Sequence, residues 1–73
     1  MTIYIVIQLA DIELIGVSAY ETIEEANEKF EAVCIEDSLL EVDKKEWSKF
    51  EVSDTMRLAG DDAGSVQLIK RHT

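Results

Sequence analysis

Five glutamates, Glu21, Glu24, Glu25, Glu28 and Glu31, recur at three- and four-residue intervals. On a helix that spacing gathers carboxylates along one exposed side, neighbours about 5–6 Å apart. A row of this kind makes and breaks no bonds; it attracts basic surfaces and repels phosphate. Each like-charged pair costs the helix about 0.2–0.5 kcal/mol. Only Glu25 and Lys29 stand in the favourable Glu-to-Lys arrangement four residues apart. A solvated outer face that keeps a small protein soluble explains such a row. A docking face for a basic partner is the sharper reading.

The other residues with chemical potential are sparse. Asp61-Asp62 lies between Gly60 and Gly64 and reads as turn chemistry, and Glu36-Asp37 reads as a solvated helix end. General acid–base work needs a cleft that drives two carboxyl pKa values apart, and a chain of 73 residues has little volume to build one. The Gly60–Gly64 segment lacks the twelve-residue ligand pattern and closing Glu of a calcium loop. Cys34 falls beside Val33 on an apolar stripe in acidic company, the setting of a small buried hydrophobe rather than of a reactive thiol. It is the only cysteine, which excludes an internal disulfide, and with the single His72 it cannot supply a tetrahedral zinc set. His72, next to last, is expected to fray. No glycine-rich phosphate loop or nucleophile elbow occurs. The expectation is no catalytic site, no metal and no cofactor. Trp47 is the remaining candidate, a core anchor under a loop or an interface anchor of the kind that dominates binding hot spots.

Charge is concentrated rather than spread. Residues 1–43 hold eleven acids against one base, Lys29, a net of −10, while residues 44–73 hold five acids against six bases, a net of +1. Such a field opposes direct binding of nucleic acid or anionic membrane and favours a basic protein partner. Lys70-Arg71 is too short to act as a nucleic-acid patch. In composition and size the chain resembles the acidic nucleic-acid-mimic inhibitors that phages and bacteria direct against DNA-binding enzymes. That resemblance implies an inhibitor that occupies a DNA or RNA site, its carboxylates spaced like phosphates along one strand.

The elements that would position the acids follow from periodicity. Thr2 to Ala10 (TIYIVIQLA) reads as a strand, with Ile3, Ile5, Ile7 and Leu9 on one face and Tyr4, Val6, Gln8 and Ala10 on the other. Apolar residues on both faces suggest a central position. After the break Asp11-Ile12-Glu13, Leu14 to Tyr20 reads as a second strand, with Ile15, Val17 and Ala19 sharing a face and the short connection making a hairpin. Thr22-Ile23-Glu24-Glu25 is a capping box. Ile23, Ala26, Phe30, Val33 and Asp37 then follow at helical spacing, giving a helix from about Thr22 to about Asp37, roughly 24 Å long. Ser38 to Lys49 has no clean period: it is either an irregular loop or a short turn capped at Asp43 and carrying Trp47. Phe50 to Leu58 alternates, with Phe50, Val52, Met56 and Leu58 opposite Glu51, Ser53, Thr55 and Arg57. A turn at Gly60–Gly64 and a strand from Ser65 to Arg71 complete a second hairpin.

The order ββαββ defines one small α+β domain spanning residues 1–73, a single amphipathic helix on a four-stranded, mostly antiparallel sheet. One helix cannot cover both faces of the first strand. The Tyr4, Val6 and Ala10 side is therefore expected to lie open and available for homodimerisation, unless Leu39, Leu40 and Trp47 fold over it. No basic leader or cleavage signal accompanies Ile3–Ala10, and no apolar run reaches the roughly 20 residues of a membrane span. An unpaired cysteine suits the cytoplasm. The expected function is a non-enzymatic protein-binding or regulatory module acting through Glu21, Glu24, Glu25, Glu28 and Glu31, with Trp47 as a possible anchor. The alternatives are the nucleic-acid mimic and a structural homo-oligomer built on the apolar sheet face.

Overall fold

In the computed structural model, residues 1–11, 13–43, 54–60 and 64–73 are described. Trp47, the first residues of the expected Phe50–Leu58 strand and the Asp61-Asp62 turn lie outside them. The described chain forms strands β1 (Thr2–Ala10) and β2 (Glu13–Tyr20), helix α1 (Ile23–Glu36), and strands β3 (Thr55–Gly60) and β4 (Gly64–His72). All pairings are antiparallel and the strand order is β2-β1-β4-β3. The α+β architecture with order ββαββ is therefore as expected, and β1 is central.

Thr22 caps α1 with extended backbone, and its hydroxyl accepts from the Glu25 amide at 3.3 Å. The same hydroxyl donates to Glu25 Oε1 at 2.9 Å, so the Glu25 carboxylate closes the cap through the side chain. At the other end the Asp37 amide donates to the Val33 carbonyl at 2.9 Å. Ala26, Phe30 and Val33, spaced for one face, are buried against Val6, Ala59, Val66 and Leu68. Phe30, Leu68 and Val66 are the largest fully enclosed side chains. Each such burial contributes about 1.5–3 kcal/mol, and together they hold the helix across the middle of the sheet.

The sheet carries its helix on the side opposite to the one expected. Val6 is 2% exposed beneath α1, with Tyr4 packed beside it, whereas Ile3, Ile5, Ile7 and Leu9 face away from the helix. An extra residue in β2 explains a second difference. Gln8 pairs with Gly16 but Leu9 pairs with Leu14, which leaves Ile15 in a bulge. Leu14, Val17 and Ala19, opposite Leu9, Ile7 and Ile5, thus form the β2 part of the helix-free side. Ile15 instead borders a depression with Asp37 and Leu39 at the end of α1. On the same helix-free side Leu58 and Ile69, at the β3–β4 end, are buried.

Two further expectations are corrected. His72 does not fray: it pairs with Thr2 at the end of the β1–β4 ladder, and its Nδ1 lies 3.1 Å from Thr2 Oγ1. Leu39 and Leu40 do not cover the helix-free side. Leu39 packs on the helix-side core, and Leu40 is 82% exposed. Gly60 has φ 156° and enters the connection to β4 so tightly that a Cβ would lie 2.5 Å from the Gly64 carbonyl oxygen. The turn composition read from Gly60 and Gly64 has that steric basis.

Candidate docking face

Helix α1 places the five glutamates as the spacing required, all of them exposed, but they are not equivalent. Glu25 is engaged in the cap with Thr22. Although Glu25 and Lys29 have the favourable spacing, they close no ion pair among the described residues; Glu25 is turned to the cap instead. Glu31 faces β3, where Arg57 Nη1 lies 3.4 Å from its Oε1. Glu24 and Glu28, one turn apart, have neither a hydrogen bond nor an ion pair among the described residues. With Glu21 just before the cap, they form the free part of the row.

The acidic side of the molecule is organised by a residue that alternation assigned to the outer face of its strand. Arg57 lies on the helix side of β3. Its Nε donates to Glu41 Oε1 at 2.7 Å and its Nη2 to Glu41 Oε2 at 3.1 Å, a two-pronged pair. Its Nη1 donates to Asn27 Oδ1 at 3.1 Å, and the guanidinium carbon stands 4.5 Å from the centre of the Phe30 ring. One cation thus joins α1, β3 and the segment after the helix while its face covers the main core aromatic. Glu41 is held below the usual carboxylate range chiefly by its hydrogen bonds to Arg57, which outweigh the opposing effect of burial, with the positive charge itself adding a smaller lowering. The Arg57 guanidinium is correspondingly pushed up by Glu41 and, less, by Glu31.

Cys34 lies next to this cluster, half-buried. Burial pushes its thiol up, Arg57 pulls it down, and Glu41, Glu31 and Asp37 add to the rise. The net effect favours the neutral thiol, which is a poor nucleophile. At the far end of α1, Gln8 Nε2 donates to Asp37 Oδ2 at 2.6 Å, so an amide side chain on the helix side of β1 serves the helix terminus. Among the described residues, no group of three or more His, Cys, Asp and Glu is placed to hold a metal ion. Nor is any described helix long and apolar enough to cross a membrane.

The structure therefore brings Glu21, Glu24 and Glu28 onto one open side and gives Glu25 and Glu31 internal work. Trp47 lies outside the described residues. Arg57, Glu41 and Asn27 escaped the sequence reading because their contacts cross between elements far apart in the chain. The one available signal was that Arg57 is the single charged residue of its short strand. Comparison with family models, with curated proteins and with solved structures finds no match for this chain.

Proposed function

We propose that this protein is a non-enzymatic binding module that docks a basic protein through the Glu21, Glu24 and Glu28 side of α1. The observation that carries the reading is the division of labour among the glutamates. Glu25 and Glu31 are committed to the cap and to Arg57, whereas Glu24 and Glu28 stand exposed and unpaired among the described residues, at a spacing that costs the helix free energy. A basic partner relieves that repulsion, and the net charge of −9 steers its approach. The same field disfavours nucleic acid and anionic lipid as direct ligands. The lone half-buried thiol suits a reducing compartment, so the cytoplasm is the location this reading expects.

The test compares the wild-type chain with the double variant Glu24→Lys/Glu28→Lys as bait for proteins from the native host. These two positions are chosen because neither supports the cap or the Arg57 cluster, so the variant keeps its fold. The reading expects a basic partner that is held by the wild type and lost by the variant. Its binding must also weaken as salt rises from about 0.01 M to about 0.1 M, over which the screening length falls from about 30 Å to about 10 Å. A partner retained by the variant, or indifferent to salt, sinks it.

A further inference from the structure

The two ends of the sheet are finished differently. Beyond β3, the segment after the helix adds backbone pairing: Glu41 bridges Ala59, the Val42 amide donates to the Leu58 carbonyl at 2.8 Å, and the Gly60 amide donates to the Leu40 carbonyl at 3.0 Å. Beyond β2, the other terminal strand, no described residue pairs. Every second residue of β2 therefore turns its N–H and C=O outward, an open template for another strand. Among the described residues this edge lacks the usual protections. Glu13–Tyr20 (ELIGVSAY) is eight residues long, has no proline or lysine, and carries a single charge, Glu13, at its hairpin end. Its one bulge also lies near that end, so Gly16 to Tyr20 runs in unbroken register with β1.

Three of the four large apolar side chains exposed on the described strands, Leu14, Ile15 and Val17, sit on this strand; the fourth is Met56 on β3. Leu14 is 57% and Val17 59% exposed, whereas Leu58 and Ile69, near the opposite end of the same sheet face, are 3% and 4% exposed. We infer that a second copy of this chain pairs with the β2 edge, antiparallel about a two-fold axis near Ser18, to give one continuous eight-stranded sheet. The self-complementarity of Gly16–Tyr20 is what selects a second copy as the occupant. In this register Val17 of each copy meets Ala19 of the other on the helix-free side, and the two Ser18 hydroxyls face each other on the helix side. Tyr20 lies opposite Gly16, which brings no side chain of its own to the contact, with Gln8 of β1 bordering the position. No like charges are brought opposite each other, since Glu13 falls beyond the paired stretch.

The placement of charge agrees. Asn27 and Glu31 reach Arg57 on β3, so the helix flank that continues through Glu24 and Glu28 is tilted toward β3, away from this edge. Lys29, the only base of residues 1–43, borders Gly16, Val17 and Ser18 on the β2 side. The strongest repulsion between two copies is thus kept away from the contact. The dimer leaves both Glu24–Glu28 faces open on its outer parts.

Light scattering coupled to size exclusion on the full chain tests this, and the expected mass is twice that of one chain. Val17→Lys places a protecting lysine on the edge, and the mass should fall to that of one chain while the circular dichroism spectrum stays native. Ile35→Lys, at a still more exposed apolar residue on α1, should leave the dimer intact. A cross-link gives an independent readout: in a Cys34→Ala background, Ser18→Cys should oxidise to a disulfide-linked dimer, and Leu40→Cys should not. A monomeric wild type overturns the inference. So does a dimer that survives Val17→Lys, or cross-linking that favours Leu40→Cys over Ser18→Cys.

Discussion

The β3 edge and the β2 edge belong to one sheet, yet only the first is closed. At β3 the backbone of Leu40–Val42 continues the ladder, and Arg57 binds that segment to the helix through Glu41, Asn27 and Glu31. At β2 no described residue continues the ladder, and Leu14 and Val17 are exposed. Composition alone does not account for the contrast, because both strands mix apolar with polar residues. What differs is the chain that follows the helix. Among the described residues it returns along β3, and β2, which precedes the helix, receives no such return. In a domain this small one connecting segment protects one edge, and the other edge is left for something else.

The sharpest way to break the comparison is to place the same charge on the two faces of the β1–β2 pair. Val6→Asp sets a carboxylate among Phe30, Val33 and Leu68, in a site that is 2% exposed and holds no buried cation among the described residues. The effective cost of an unpaired buried ion is several kcal/mol, comparable to the whole stability of a small domain. The variant is expected to be unfolded by circular dichroism at room temperature. Val17→Asp places the carboxylate in water on the exposed side, where substitutions usually change stability by no more than about 0.5 kcal/mol. At a concentration low enough to keep both proteins monomeric, it should melt close to the wild type. If the two variants melt alike, the assignment of the helix to the Val6 side is wrong.

A smaller effect is expected at the closed edge. Arg57→Ala removes a two-pronged pair, a hydrogen bond to Asn27 and a cation over Phe30, and should cost about 2 kcal/mol in urea unfolding. Arg57→Lys should recover only part of this, since an ammonium cannot reproduce the fork. The pH dependence identifies the partner. The folded-state pKa of Glu41 lies below its ordinary value, so its contribution is fully present above the unfolded carboxylate range and is lost as pH falls through the depressed folded value. The wild type should therefore lose its advantage over Glu41→Gln on acidification from neutral pH to below that depressed value. An advantage that is unchanged by pH would mean that the pair contributes through packing alone.

How far these features were legible in the sequence depends on their range. The Thr22 cap, the Ala26–Phe30–Val33 stripe and the alternation of β1 are local, and each was readable because a few neighbouring residues fix it. The side of the sheet that takes the helix was not readable. β1 is apolar on both faces, with Ile3, Ile5, Ile7 and Leu9 against Tyr4, Val6 and Ala10, so alternation gives no preference. The four larger aliphatic residues suggested the wrong choice. Arg57 misled for a related reason. A long side chain buries its stem and delivers its charge to the rim of a narrow helix–sheet interface, so a charged residue in a strand need not point away from the core. Gln8 is a second instance, satisfied on the helix side by Asp37. Among the proposed docking residues, the sequence located the row but not its division, which depends on Arg57 lying 26 residues after Glu31.

That division supplies the smallest effect and a direct check on which acids are free. Glu28→Gln removes one member of an unpaired like-charged pair on an exposed surface and leaves the cap and the Arg57 cluster intact. It should stabilise the domain by about 0.2–0.5 kcal/mol at low ionic strength, and the gain should fade as salt screens the repulsion. Glu31→Gln removes similar repulsion but also an ion pair to Arg57, so it should gain less or lose stability. The two substitutions differ by one helical turn and by nothing in chemistry. Equal gains would place Glu31 among the free acids and return the helix to a uniform solvated face. Unequal gains would show that the unpaired charge lies at Glu24 and Glu28, where a basic partner rather than Arg57 is left to neutralise it.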